Sequence, residues 1–212
     1  MDIQSQTYHH GNLRQALVQA AREMIEEVGP EGFSLRATAK RAGVSATAPA
    51  HHFANARALL TAVAEGGFCE LGAYIDREPR DDDPVVELHA VATRYVEYAA
   101  QHPGLFRLMF REGLTDRTSS SFREASKQAL YRVSFALAAY QGIPLRAQME
   151  SSRHPVVVGM WASLHGLAHL AVEGTVIYSA DDKEDEAGVR LIDMLPAILA
   201  DQWPAKPAAN DL

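Results

Sequence analysis

His165 and His169 stand four residues apart, a spacing that sets two imidazoles on one face of a helix, as a pair of metal ligands would be. No Glu follows His165, spacing fixes no third ligand, and His154 lies about three helical turns earlier. Histidines that simply pack are therefore the expectation, and no resident metal is expected. The other chemistry is electrostatic. Between Glu31 and Glu65 there is no acidic residue, while Arg36, Lys40, Arg41 and Arg57 fall inside that window. A carboxylate-free basic stretch suits a surface that faces phosphates; a chance gap in an Ala-rich segment would look the same. No Gly-rich phosphate loop, nucleophile elbow or other catalytic spacing occurs, so neither a catalytic residue nor a cofactor is expected.

These residues must be held by helices. From Asn12 to Gly29, Leu13, Ala16, Leu17, Ala20, Ala21, Met24, Ile25 and Val28 recur at helical spacing. Asn12 with Gln15 resembles a capping box, and Gly29-Pro30 supplies a stop. Ser34 is placed to cap a second, short helix whose Leu35, Ala39 and Ala42 face inward, and Gly43 suits its left-handed end. Ser45 then caps a third helix over about Ala46 to Phe53, with Pro49 near its start. Two short helices around a Gly-containing turn describe a helix-turn-helix, whose second helix enters the DNA major groove.

Asn55 can cap a fourth helix carrying Leu59, Leu60, Val63, Phe68, Leu71 and Ile75. An exposed connection, EPRDDDP, precedes a fifth over Val85–Gln101. His102-Pro103-Gly104 breaks it before a short sixth, Leu105–Phe110; the seventh runs over Ser120–Tyr140, the eighth from about Pro155 to Val172, and the ninth over about Glu184–Ala200. The ending, WPAKPAANDL, is expected to fray. With no convincing strand alternation or repeat, the fold class is all-α, about nine helices. A small N-terminal domain (1–57) precedes a larger helical one (58–212).

The chain of 212 residues is 47% hydrophobic and 22% charged, ordinary for a globular protein. Its net charge of −7 is uneven: residues 1–58 carry six Lys/Arg against five Asp/Glu, the rest fourteen against twenty-two. The single cysteine, Cys69, excludes an internal disulfide, and with Glu70 beside it reads as a core residue rather than a redox sensor. With no signal peptide and no apolar run of about 20 residues, a cytoplasmic protein without a membrane span is expected.

Taken together, Tyr8-His9-His10-Gly11-Asn12-Leu13-Arg14, GFSLRATAKRAGVSATAPAHHF at 32–53 and Leu59-Leu60 resemble the tetracycline-repressor (TetR) family of bacterial regulators. HPGLFRLMF at 102–110 and Trp161-Ala162-Ser163-Leu164-His165-Gly166 look like a subgroup with a Trp…His-Gly C-terminal element. The resemblance implies a homodimer joined through helices eight and nine, a DNA reader on helices one to three, and a small-molecule effector that releases a palindromic operator. Two positions depart from the family pattern. Ala50 stands where an aromatic phosphate contact is common, and Ala56, followed by Arg57, stands where a lysine is.

For phosphate contacts the candidates are Ser34, Arg36, Ser45, Asn55 and Arg57, at helix N-termini that offer free N–H groups. Tyr8, His9 and His10 either touch the backbone or form an ordinary leader. For base edges the candidates are Ala46, Thr47, Ala48, His51 and His52; without Arg or Lys there, methyl, hydroxyl and imidazole contacts remain. An effector pocket draws on Phe68, Tyr95, Tyr98, Phe106, Met109, Phe110, Tyr131, Phe135 and Trp161, which favour an apolar or aromatic ligand; core filling is the alternative for each. Two other functions compete with a ligand-responsive repressor. A small helical enzyme leaves the acid-free window unexplained, and a ligand-binding or scaffolding dimer that has lost DNA binding is made conceivable by Ala50 and Ala56.

Overall fold

A computed structural model describes residues 6–144, 153–177 and 188–205. Among them are eight α-helices: α1 (Gln6–Val28), α2 (Leu35–Arg41), α3 (Ala56–Ile75), α4 (Pro84–Gln101), α5 (Pro103–Phe110), α6 (Ser120–Tyr140), α7 (Pro155–Val172) and α8 (Leu191–Gln202). Two 3-10 turns, Pro30–Gly32 and Ala48–His51, interrupt the N-terminal part. The all-α expectation holds. The third expected helix, over about Ala46 to Phe53, is instead the second of these turns.

Two compact units divide the chain, with breaks after residues 70, 101 and 127. Residues 1–70 and 102–127 form the first, residues 71–101 and 128–212 the second. The reason for the first unit's discontinuity lies at Gly104. A Cβ there would sit 2.2 Å from the Ile25 carbonyl oxygen, so α5 lies directly on the α1 backbone. The Glu26 carboxylate accepts from the Gly104 and Leu105 backbone N–H groups at 2.9 and 3.2 Å, capping α5 at its positive end. Pro103 begins that helix where no N–H is missed. The HPG sequence thus both breaks one helix and docks the next.

Within this unit Leu17, Ala21 and Ile25 of α1 are fully buried, as their spacing predicts. α1 starts earlier than expected: Asn12 lies inside it, as do Tyr8, His9 and His10, because Gly11 weakens a helix by only about 1 kcal/mol and no proline stops it. Phe68 on α3 meets Phe110 and Phe122 edge-on, each at 5.5 Å, and Phe106 lies 4.9 Å from Phe110. These rings are the core under α3.

In the second unit α4 packs along α7 and α8. Arg94, almost fully buried, donates to the Ile75 carbonyl at 3.0 Å and pairs with Glu78, closing the end of α3. Val176–Ile177 and Val189–Arg190 pair antiparallel, so α8 begins at Leu191; its expected start at Glu184 lies outside the described residues. Just past α8, His89 Nε2 bonds the Trp203 carbonyl at 2.9 Å and the Tyr140 hydroxyl donates to that of Pro204 at 3.1 Å; the rest of the ending expected to fray, 206–212, lies outside the described residues.

By length and composition α3 and α7 are apolar enough to cross a membrane, a property hidden in the sequence by their scattered small and polar residues. Over half of that stretch of α3 is buried, against 22% for α7.

Candidate nucleic-acid interface

The surface is built from the caps outward. Ser34 Oγ accepts from Ala37 N at 3.4 Å and opens α2, and the Thr38 hydroxyl, buried against Met24 Sδ, returns to the Ser34 carbonyl at 2.9 Å. At the other end Gly43 takes φ +72°, and Val44 N reaches back to the Ala39 carbonyl at 3.0 Å, so α2 closes with its last carbonyls satisfied. The chain turns and enters Ala48–His51.

That segment departs from expectation. Instead of capping a helix, Ser45 Oγ pairs with Thr47 Oγ1 at 3.1 Å, and Thr47 makes no side-chain cap. Pro49, buried, contributes no N–H, and the His52 and Phe53 N–H groups both end on its carbonyl at 3.0 and 2.9 Å. With so few residues between the Gly43 turn and the Asn55 cap, nucleating an α-helix costs more than one turn returns. Asn55 Oδ1 accepts from Ala58 N at 2.9 Å and starts α3 as expected.

Ser34, Arg36, Lys40 and Ala46, with Ala37 and Val44, line a groove of about 530 Å³. Arg36 and Lys40 are both exposed, one turn apart on α2. Lys40 was not among the expected site residues; its i, i+4 relation to Arg36 was the available signal. Arg41 is not part of this face, because it is bound to Glu27 at 2.5 Å, a hydrogen bond that lowers the Glu27 pKa. Thr47 and His51 are exposed beside the groove, whereas Ala48 and His52 are half-buried. His52 lines a different, more polar recess with Arg14 and Phe53, where the Arg14 guanidinium lies 4.9 Å from the Phe53 ring.

Arg57 is turned from the groove. Its Nε and a terminal nitrogen both donate to the Thr115 carbonyl, while Thr61 Oγ1 donates to the Arg57 carbonyl at 2.7 Å and accepts from Asp116 N at 2.8 Å. Two hydrogen bonds from Thr118, and behind them the Arg57 charge, hold the Asp116 carboxyl below its ordinary pKa. A guanidinium so engaged is a structural tie.

The expected effector residues fall into two groups. Phe68, Phe106, Met109 and Phe110 belong to the first unit's core described above. Tyr95, Tyr98, Tyr131, Phe135 and Trp161 belong to the second. There Tyr98 lies 5.8 Å from Tyr74, Tyr131 lies 6.1 Å from Phe135, and Trp161 stacks on His165 at 4.9 Å. The buried Tyr95 hydroxyl bonds His165 Nδ1 at 2.8 Å, and His165 Nε2 lies 3.1 Å from His169 Nε2. Burial first, then the nearby His169, pushes the His165 pKa down to about 4. Burial raises that of Tyr95 well above the usual phenol range. Both are neutral near pH 7.

Comparison with known proteins settles the family. A family model described as "Tetracyclin repressor-like, C-terminal domain" matches residues 88–195, half of the chain, and one described as "Bacterial regulatory proteins, tetR family" matches residues 17–63.

The chain belongs to the TetR family.

The tetracycline repressor protein class C of Escherichia coli is 41% identical over 70 residues, 33% of this chain and 31% of that protein. The match therefore spans about a third of the curated relative's length. A protein of unknown function from Rhodococcus sp. RHA1 is 30% identical with a TM-score of 0.68, covering 94% of this chain and 97% of its own. A TetR-family regulator from Streptomyces coelicolor shares the fold at 18% identity and a TM-score of 0.63, over 90% and 78%. The model over 17–63 spans the groove residues, and the one over 88–195 spans those around His165.

Proposed function

We propose that this TetR-family chain is a ligand-responsive, DNA-binding transcriptional repressor. The observation that carries the reading is the exposed, carboxylate-free groove on α2, with Arg36 and Lys40 at its wall and Ser34, Ala46, Thr47 and His51 around it. Arg36, Lys40 and the N-terminal end of α2 hold phosphates; Ala46, Thr47 and His51 approach base edges. Sequence likeness to a tetracycline repressor supports the repressor sense.

The protein works as a cytoplasmic homodimer formed through α7 and α8. Support comes from α7, an apolar helix that leaves Val156, Val158 and Leu170 exposed and has open space beside Gly159 and Gly166. Such a face calls for a partner, and a two-fold pair reads a palindrome with half-sites one helical turn, or a multiple of one, apart. A small molecule bound in the second unit releases the operator.

A second reading, a ligand-binding dimer without DNA binding, draws support from Arg57's engagement with Thr115 and from Ala50 and Ala56. Gel shift with DNA from upstream of the protein's own gene, against unrelated competitor, separates the two. Retarded complexes resistant to competitor support the repressor. Equal competition by any DNA, or a single chain on sizing, overturns it.

A further inference from the structure

α6 and α7 enclose a half-open pocket of about 140 Å³, lined by Leu130 and Ser134 on one side and Val157, Val158 and Trp161 on the other. Its size is informative, because an apolar cavity of about 150 Å³ accepts one benzene ring. Its chemistry is equally narrow: among the described residues no lining side chain carries a charge, so a carboxylate or ammonium inside would find no counter-charge from them. Ser134 is more than nine-tenths buried, yet its hydroxyl takes no hydrogen bond among the described residues, which leaves one polar anchor without a partner.

The wall opposite is preorganised. Trp161 stacks nearly parallel on His165, 23° between rings, and His165 is held by the buried Tyr95 hydroxyl on one nitrogen and by His169 on the other. A wall fixed in this way loses little freedom when a ring packs on it. The depressed pKa of His165 keeps that support uncharged at neutral pH.

We infer that this pocket binds a small neutral molecule of about one six-membered ring, its ring against Trp161 and its single hydroxyl or carbonyl on Ser134. The inference rests on the proposed ligand response for what binding accomplishes, and on the pocket alone for what binds.

The chain has two tryptophans, so a Trp203→Phe protein carries a single indole N–H resonance, that of Trp161. Titration of this protein, without DNA, with phenol, toluene and benzoate reads the pocket directly. Phenol and toluene move the resonance saturably, phenol about tenfold more tightly, as one added hydrogen bond provides; benzoate does not. Ser134→Ala abolishes the preference for phenol while keeping toluene binding, and Leu130→Trp, at a half-buried lining position on α6 outside the proposed dimer face, blocks both. A resonance unmoved by phenol and toluene, benzoate binding as tight as phenol, or a preference intact in Ser134→Ala overturns the inference; the first also results if a partner's side chain fills the pocket. Phenol binding by a protein that fails the gel shift leaves the pocket standing and removes the repressor reading instead.

Discussion

Arg57 Nε and a terminal nitrogen of the same guanidinium both end on the Thr115 carbonyl oxygen, at 3.0 and 2.8 Å, joining positions 58 residues apart in sequence. The cation that sequence spacing offers to DNA is thereby tied to a backbone carbonyl, although its side chain stays exposed. Arg57→Ala is expected to cost about 1–3 kcal/mol of stability, the usual worth of a hydrogen bond to a charged group, while leaving the salt dependence of DNA binding unchanged. Arg36→Ala or Lys40→Ala does the reverse: little effect on a urea melt, and a salt slope shallower by roughly 0.9 per subunit. A shallower slope for Arg57→Ala would return that residue to the interface.

Thr115 itself is fully buried, and its Oγ1 has no hydrogen-bond partner among the described residues. Thr115→Val removes that unsatisfied hydroxyl at nearly constant shape. The expected gain is about 1 kcal/mol, read as a higher denaturation midpoint with an unchanged denaturant slope. A loss of stability would reveal a partner for the hydroxyl.

Thr47 and His51 are the exposed side chains assigned to base edges. Changing both to Ala is expected to narrow the gap between operator and unrelated DNA by about 1–3 kcal/mol per lost base contact, with the fold intact by circular dichroism. Unchanged discrimination would reassign the reading face.

Gly104→Ala drives a Cβ into the Ile25 carbonyl oxygen, where only the backbone could yield. A cost of about 3 kcal/mol is expected, at the upper end of overpacking effects. The control is Gly43→Ala, which meets no atom within 4 Å but is strained at φ +72°, and so costs less, about 1 kcal/mol.

His165 sets a pH dependence. Its pKa is about 4 in the folded protein against 6.5 when free, so the unfolded chain takes up the proton first. Its neutral form contributes stability fully above pH 6.5, and that contribution falls as pH drops toward 4. The groups facing it are Tyr95 from α4, and Trp161 and His169 on its own helix. Thermal melts between pH 7.5 and 5 should steepen this decline in the parent protein and flatten it in His165→Gln. Parallel profiles for the two would exclude His165 as the source.

Much of the fold was legible because caps and stops are local. Ser34, Gly43 and Asn55 each do in the structure what their side-chain chemistry announces within three residues. Failures came where a distant partner decides. Arg57 answers to Thr115, and Phe68, Phe106 and Phe110 answer to one another in a core that composition cannot tell from a pocket. The Ala48–His51 turn failed differently: its capping residues suggest a helix, but Ser45 and Thr47 spend their hydroxyls on each other. The His165 pair was visible as a spacing, but the Tyr95 hydroxyl that bonds its Nδ1 lies 70 residues upstream.

The Glu26 cap on α5 bears on how the molecule is made. As the chain leaves the ribosome, the helices proposed to bind DNA emerge first, yet one flank of α1 lacks its packing partner until residues 103–110 arrive. A nascent chain halted before that point would carry a sticky, half-closed reader. The proposed reader is therefore completed by a segment that lies well downstream of it in the chain.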